Sequence, residues 1–140
     1  MRITPPTTTI LLIDNDDNDR SYYAHRLKMC SPEYVILEAR DGTSALRLYD
    51  SQKINCIVTE IDLPDISTFQ LLLTVVPPVR VPRVAFIILA RFVLPSIAQL
   101  ARDNGAQSCL MKRLTSADDL EQYILRAMSA VEGKAKDDPA

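Results

Sequence analysis

Five short apolar runs punctuate the chain: Thr9–Ile13, Tyr34–Leu37, Ile54–Thr59, Val84–Leu89 and Ser108–Met111. Each is too short for a helix and rich in branched side chains, as buried strands are. The polar stretches between them carry helical spacing. Tyr23, Leu27 and Cys30 recur at i, i+4, i+7 and form one stripe, which Pro32 ends. Thr43 is placed to cap a helix with Ala45, Leu48 and Tyr49 inward, and Ser67 a short one through Phe69, Leu72 and Leu73. Pro95 suits a first helical turn, with Ile97, Leu100 and Ala101 inward and Asn104-Gly105 closing it. Ser116 with Asp119 resembles a capping box, and Leu120, Ile124, Ala127 and Val131 form a last stripe. Val75 to Val81, broken by prolines and followed by Pro82, reads as a stiff apolar loop. The pattern predicts one domain over residues 9–131, a tail over 1–8 and a polar tail or linker over 132–140.

Strand and helix alternate five times, which implies a parallel sheet covered on both faces. The strands run out at Asp14, Leu37, Glu60, Leu89 and Lys112, so three ends carry charge. Open α/β sheets bind ligands at the carboxyl ends of their strands. Glu60 follows the most apolar central run and precedes a break at Pro64, which places it for chemistry or merely at a solvated edge. The segment Asp14 to Asp19 also reads as a turn and helix N-cap, which suits Asp17, Asn18 and Asp19 better than Asp14.

Composition narrows the function classes. A net charge of −2 with scattered basic residues argues against a nucleic-acid surface. The odd set Cys30, Cys56 and Cys109 has no metal-ligand spacing and suits thiols in a reducing cytoplasm. His25 is the one histidine, lies off the helical stripe and reads as solvated. No run is long enough to span a membrane, and the N-terminus lacks a signal-peptide pattern.

Four segments, in order, resemble the response-regulator receiver domains of two-component signalling. ILLIDNDDNDR resembles the first strand and acidic loop, and EARDGTSALRLY the EAxDGxxAL segment. VTEIDLPDISTF resembles the phospho-acceptor strand with its LPDxxGF turn, and NGAQSCLMKRLTSADDL the GAxxYLxKP ending, in the flavour of receivers attached to hybrid sensor kinases. The resemblance covers residues 9 to about 131 and implies a flavodoxin-like, doubly wound α/β fold: a five-stranded parallel sheet of order 2-1-3-4-5 with five helices. It also implies an aspartate that takes a phosphoryl group from phosphohistidine, Mg²⁺ held by that acceptor and two loop acids, and a lysine and a hydroxyl that bind the product.

Carried over residue by residue, Asp14 matches the first metal-binding acid and Lys112 the lysine. Asn15 stands at the second acid, Glu60 at the acceptor, and Ala90 (or Leu89, one residue out of register) at the hydroxyl. Cys109 stands at the switch aromatic, Thr68 at the turn glycine and Arg113 at the proline. Glu60 carries one extra methylene, and a misplacement of ~1 Å costs in-line transfer on the order of 100-fold. Asn15 offers Mg²⁺ a neutral oxygen, so a site of Asp14, Asn15 and Glu60 is weakened or lost unless Asp16 or Asp17 compensates.

The expectation is therefore a cytoplasmic, non-enzymatic receiver module, not phosphorylated and without a cofactor. It would act through a histidine kinase or another signalling domain, in its own chain or another, with weak homodimerisation through the last two helices. It would bind neither nucleic acid nor membrane. Two alternatives stand beside it: a working receiver using Glu60 or Asp62, and a flavin or nucleotide binder, which the glycine-free acidic loop after the first strand disfavours.

Overall fold

The computed structural model describes residues 7–76 and 83–137, with side chains described to residue 133. Strands β1 (Thr9–Ile13), β2 (Val35–Ala39), β3 (Cys56–Thr59), β4 (Ala85–Ala90) and β5 (Ser108–Met111) alternate with helices. The helices are α1 (Asp17–Cys30), α2 (Gly42–Ser51), α3 (Thr68–Val75), α4 (Pro95–Asp103) and α5 (Ala117–Asp137), and a 3-10 turn spans Lys112–Leu114. All pairings are parallel, in the order β2-β1-β3-β4-β5. This is the predicted flavodoxin-like arrangement.

The sheet is buried on both faces, which is why β3 and β4 are buried along their whole length and do not alternate. On one face Ile10, Leu12, Cys56, Val58, Ile87 and Leu89 pack against α1 and α5. On the other, Leu11, Ile13, Ile57, Phe86, Ile88 and Ala90 pack against α2, α3 and α4. The predicted stripe of α5 is buried at all four positions.

Several boundaries differ from the sequence expectation. β2 runs to Ala39, two residues past Leu37, because Asp14 N–H donates to Ala39 O and keeps the ladder closed. β4 is shifted by one and ends on Ala90, paired with Met111. Helix α4 turns Ala98 and Ala101 inward and leaves Leu100 48% exposed, so Leu100 does not face the core as expected. Of the three thiols only Cys56 is fully buried, while Cys30 and Cys109 are partly exposed. The segment read as a polar tail or linker over 132–140 continues α5 through Asp137; its Glu, Lys and Ala residues favour helix enough to carry the ~1 kcal/mol cost of one glycine. The proline-rich stretch at 77–82 lies outside the described residues.

Helix starts follow side-chain chemistry. Ser67 and Gln70 form a full capping box on α3, and Ser116 Oγ accepts from Asp119 N–H at 3.1 Å. Asp41, not Thr43, caps α2, accepting from Ser44 N–H at 2.8 Å. Thr43 instead meets Asp65, which reaches over from the β3–α3 loop. Asp65 Oδ1 accepts from Gly42 N–H at 2.9 Å and Oδ2 from Thr43 N–H at 2.8 Å. Those amides hold the Asp65 carboxyl well below the usual range, together with the Thr43 hydroxyl, which contributes most. The approach is close enough that a Cβ on Gly42 would come within 2.2 Å of Ile66 Cγ1. Asp65→Ala is expected to cost about 1–2 kcal/mol, the range for loss of a helix cap; urea unfolding followed by circular dichroism measures it.

Candidate functional site

The site forms where β1, β3 and β5 run out at the carboxyl edge of the sheet. Asp14 leaves β1 and is fixed from three sides. Its Oδ1 accepts from Asp16 N–H at 2.9 Å, and its own carbonyl accepts from Arg20 Nη1 at 2.7 Å. Arg20 is in turn held by Glu38 at 3.1 Å and Asp17 at 2.9 Å. Asp14 Oδ2 then meets Lys112 Nζ at 2.7 Å.

Glu60 leaves β3 with its N–H donating to Ile13 O at 2.9 Å. Its Oε1 accepts from Ile61 N–H at 2.8 Å. Its Oε2 accepts both from Lys112 Nζ at 2.9 Å and from Arg91 N–H at 3.2 Å. The Glu60 backbone is pinned as well. Thr68 Oγ1 donates across the turn to the carbonyls of Glu60 and Ile61, each at 2.9 Å. Thr68 is thus more than a departure from glycine: its hydroxyl fastens the start of α3 to the end of β3.

Lys112 emerges from β5 into the centre of this group, with 11% of its side chain exposed. A third carboxylate, Asp19 Oδ2, joins it at 2.8 Å. Burial pulls the Lys112 ammonium down, but its bonds to Asp14, Asp19 and Glu60 outweigh that and hold its pKa above the ordinary lysine value. Burial pushes the Asp14 carboxyl up, against the lowering effect of the same ammonium. Behind the lysine, the Tyr23 hydroxyl donates to Thr115 O at 3.1 Å and fastens α1 to the turn that carries Lys112. Arg91 reaches across the mouth to Asp16 at 3.0 Å and Asp19 at 3.6 Å. The opening, about 390 Å³, is lined by Asp14, Asn15, Asp16, Glu60, Asp62, Arg91 and Lys112.

Of the residues singled out in the sequence, Asp14, Glu60 and Lys112 come into direct contact. Asn15 is exposed at the mouth. Ala90 is fully buried at the end of β4, and Leu89 lines a small space beneath Glu60, so neither brings a hydroxyl to the site. Cys109 sits on β5, partly buried, its thiol pushed up by burial. Sequence reasoning missed Asp19, Arg91, Arg20 and Tyr23. Asp19 was assigned to a solvated helix start; the helix is capped by Asp16, which frees Asp19 to turn inward to Lys112. Arg91 had a readable signal, since it follows the fourth strand directly and makes a fourth charged strand end.

A hard divalent cation needs carboxylate oxygens that converge and are free to bind it. Here all four carboxylate oxygens of Asp14 and Glu60 already accept a hydrogen bond or an ion pair, and the Lys112 ammonium sits where they converge. Among the described residues no three acidic, histidine or cysteine side chains are grouped to hold a metal ion. The donor set does not fit Mg²⁺ in this arrangement.

The sheet is parallel throughout, and acids and a lysine meet at its switch point. The chain belongs to the response regulator receiver domain family, whose model matches residues 10–125. It is similar to a response regulator receiver domain protein from Clostridium thermocellum at 25% identity, over 89% of this chain and 97% of that one, with a TM-score of 0.78. Two further structures share the fold. One is a CheY-like receiver domain protein from Methanospirillum hungatei, at 19% identity over 92% and 99% of the chains, TM-score 0.78. The other is the chemotaxis response regulator CheY4 of Vibrio cholerae, at 19% identity over 90% and 99%, TM-score 0.71. No curated protein matches the chain in sequence. Among the described residues no helix is long and apolar enough to cross a membrane.

Proposed function

We propose that this receiver signals without being phosphorylated: Glu60 is a fixed acid that holds the site in one arrangement, and the domain acts by protein–protein contact. The observation that carries this is the double engagement of Glu60 Oε2, by Lys112 Nζ at 2.9 Å and Arg91 N–H at 3.2 Å. The longer side chain spans from β3 to the β4–α4 loop and to β5 at once. It does so by charge already present in the chain, where a working receiver would need a new phosphoryl group. With Oε1 held by Ile61 N–H as well, both Glu60 oxygens are restrained by donors that an attack would have to displace, and Asn15 gives the mouth one carboxylate fewer. Phosphoryl transfer is catalysed mainly by positioning and charge neutralisation, and both are compromised here.

The partner is a histidine kinase or another signalling domain, in the same chain or another. The surface that supports this lies beside the fixed site. Phe92 and Leu94 in the β4–α4 loop are 65% and 53% exposed, and Leu114 after β5 is 68% exposed. Register pairs Ala90 with Met111, so these two loops leave the sheet side by side. Leu100 on α4, the helix that follows the first of these loops, is exposed as well, and these apolar side chains are the ones offered to a partner. The same face serves a weak homodimer through α4, β5 and α5.

Incubation with acetyl phosphate and Mg²⁺ tests the reading. The expected result is an unchanged intact mass and an unshifted amide spectrum for residues 89–95. A gain of one phosphoryl group that disappears in Glu60→Gln reverses the reading in favour of a working receiver.

A further inference from the structure

We infer that the Arg91 side chain is a releasable strap that sets how the β4–α4 loop presents Phe92 and Leu94, so that charge at the mouth of the site governs this loop. Arg91 is the first residue past β4 and is tethered twice. Its main-chain N–H donates to Glu60 Oε2 at 3.2 Å. Its guanidinium crosses to the start of α1, where Nη2 meets Asp16 Oδ2 at 3.0 Å and Asp19 Oδ2 at 3.6 Å. The two tethers differ in kind. Glu60 is buried, which shields the first from water. The Arg91 side chain is 74% exposed, so the second is open to water and to screening. This rests on Glu60 being a fixed acid: only then is the inner tether constant and the outer one the variable.

Little else holds the loop. Among the described residues the amides of Phe92, Val93 and Leu94 donate no hydrogen bond, and of the three only Val93 packs against the core. Leu94 stands at the N-cap of α4 without a side-chain cap bond, so the helix start does not fix the loop from its other end.

An isolated exposed ion pair often contributes nothing measurable, because two long side chains must be held in one geometry. Here the acids are held already. Asp16 Oδ1 accepts from Asp19 N–H at 3.0 Å and caps α1, which aims Oδ2 at Arg91. Asp19 Oδ2 is fixed by Lys112 at 2.8 Å. Only the arginine has freedom left to lose, and a network of this kind is where exposed pairs count. The bias towards the strapped loop is then severalfold, up to about fivefold, the scale of an exposed pair. That is enough to order the loop and little enough for a change of local charge to undo. Release leaves the Arg91 N–H on Glu60 and frees the residues just beyond it, Phe92 and Leu94, which are the exposed apolar side chains of this loop.

Nitrogen-15 relaxation and amide exchange on the full chain test the strap. Asp16→Asn keeps a helix cap, since asparagine caps as well as aspartate, and removes the charge. Arg91→Gln keeps the main-chain N–H and removes the guanidinium. Each is expected to lower the order parameters of Phe92 and Leu94 from about 0.85 towards about 0.6. The double variant should do no more than either alone, because both remove the same contact. In the native chain about 1 M NaCl, where the Debye length is about 3 Å, should reproduce the effect, and in the double variant it should leave the loop unchanged. The amide at position 91 keeps its protection from exchange throughout, because Glu60 still holds it. Three results overturn the strap alone: order parameters unchanged in both single variants, effects that add in the double variant, or a salt response that survives in it. Loss of protection at position 91 in the native chain shows that Glu60 itself lets go, and overturns the fixed acid and the strap together.

Discussion

Lys112→Met is expected to lower the unfolding free energy by about 3–5 kcal/mol, the range for breaking a buried ionic group by removing one partner. The lysine is the only cation paired with the carboxylates of Asp14 and Glu60 among the described residues, and it also holds Asp19. Methionine keeps most of the stem volume but leaves three carboxylates facing one another, two of them nearly out of water. Urea unfolding at neutral pH, followed by circular dichroism, measures the loss. The deficit is expected to shrink as the pH falls, because Asp14, already raised by burial, takes up a proton and relieves the repulsion.

At alkaline pH the sign runs the other way for the native protein. Lys112 is raised in the folded state, so the folded form binds the proton more tightly. Its contribution is complete below the unfolded lysine pKa of about 10.4 and is lost as pH rises towards the folded value. The difference between native protein and Lys112→Met should therefore narrow above about pH 10.4. A loss under about 1 kcal/mol at neutral pH, the scale of an exposed ion pair, would show that the cluster is a solvated surface pair and not a structural lock.

The second large effect is on chemistry. Glu60→Asp with Asn15→Asp is expected to create Mg²⁺ binding, read by titration of the metal against the native chain. The shorter side chain at position 60 withdraws the carboxylate from Arg91 N–H and Lys112 Nζ and frees it to bind an ion. The second substitution returns the missing negative charge to the mouth. Correct placement is worth on the order of 100-fold per ångström in phosphoryl transfer, so acetyl phosphate should now add one phosphoryl group at a measurable rate. The β4–α4 loop should still not move with beryllofluoride, because Ala90 has no hydroxyl to follow the new oxygen. Adding Ala90→Ser is expected to restore the loop shift. If the double variant moves the loop without that third change, then the Arg91 amide alone couples the site to the surface, and Ala90 is not what disconnects it.

The fold was legible because its determinants are local. The apolar runs are strand-length and branched, and the stripe of Leu120, Ile124, Ala127 and Val131 has helical period. Alternation of the two element types then allows few topologies. The strand-end charges at Asp14, Glu60 and Lys112 were legible for the same reason, since each follows its strand directly. Boundaries failed where a partner distant in sequence decided them. β2 extends to Ala39 because Asp14 donates to it, and α2 is capped at Asp41 while Thr43 is bound by Asp65, 22 residues further on.

The site's wiring was decided by tertiary structure alone. Asp19 lies on a helix start whose sequence reads as a solvated cap, and only the packing of α1 against α5 and the sheet brings it to Lys112, 93 residues away. Arg91 is readable as a charged strand end, but its bond to Glu60 runs through the main-chain N–H, a group every residue but proline has, so no residue type could announce that bond. Thr68 was visible as an absence of glycine, but its bonds to the carbonyls of Glu60 and Ile61 exist only once α3 folds back on β3. The sequence by itself determined which side chains reach the carboxyl edge of the sheet. The three-dimensional fold determined which of them meet, because contacts at hydrogen-bond distance between residues up to 93 apart depend on how helices pack over the sheet and not on any pattern along the chain.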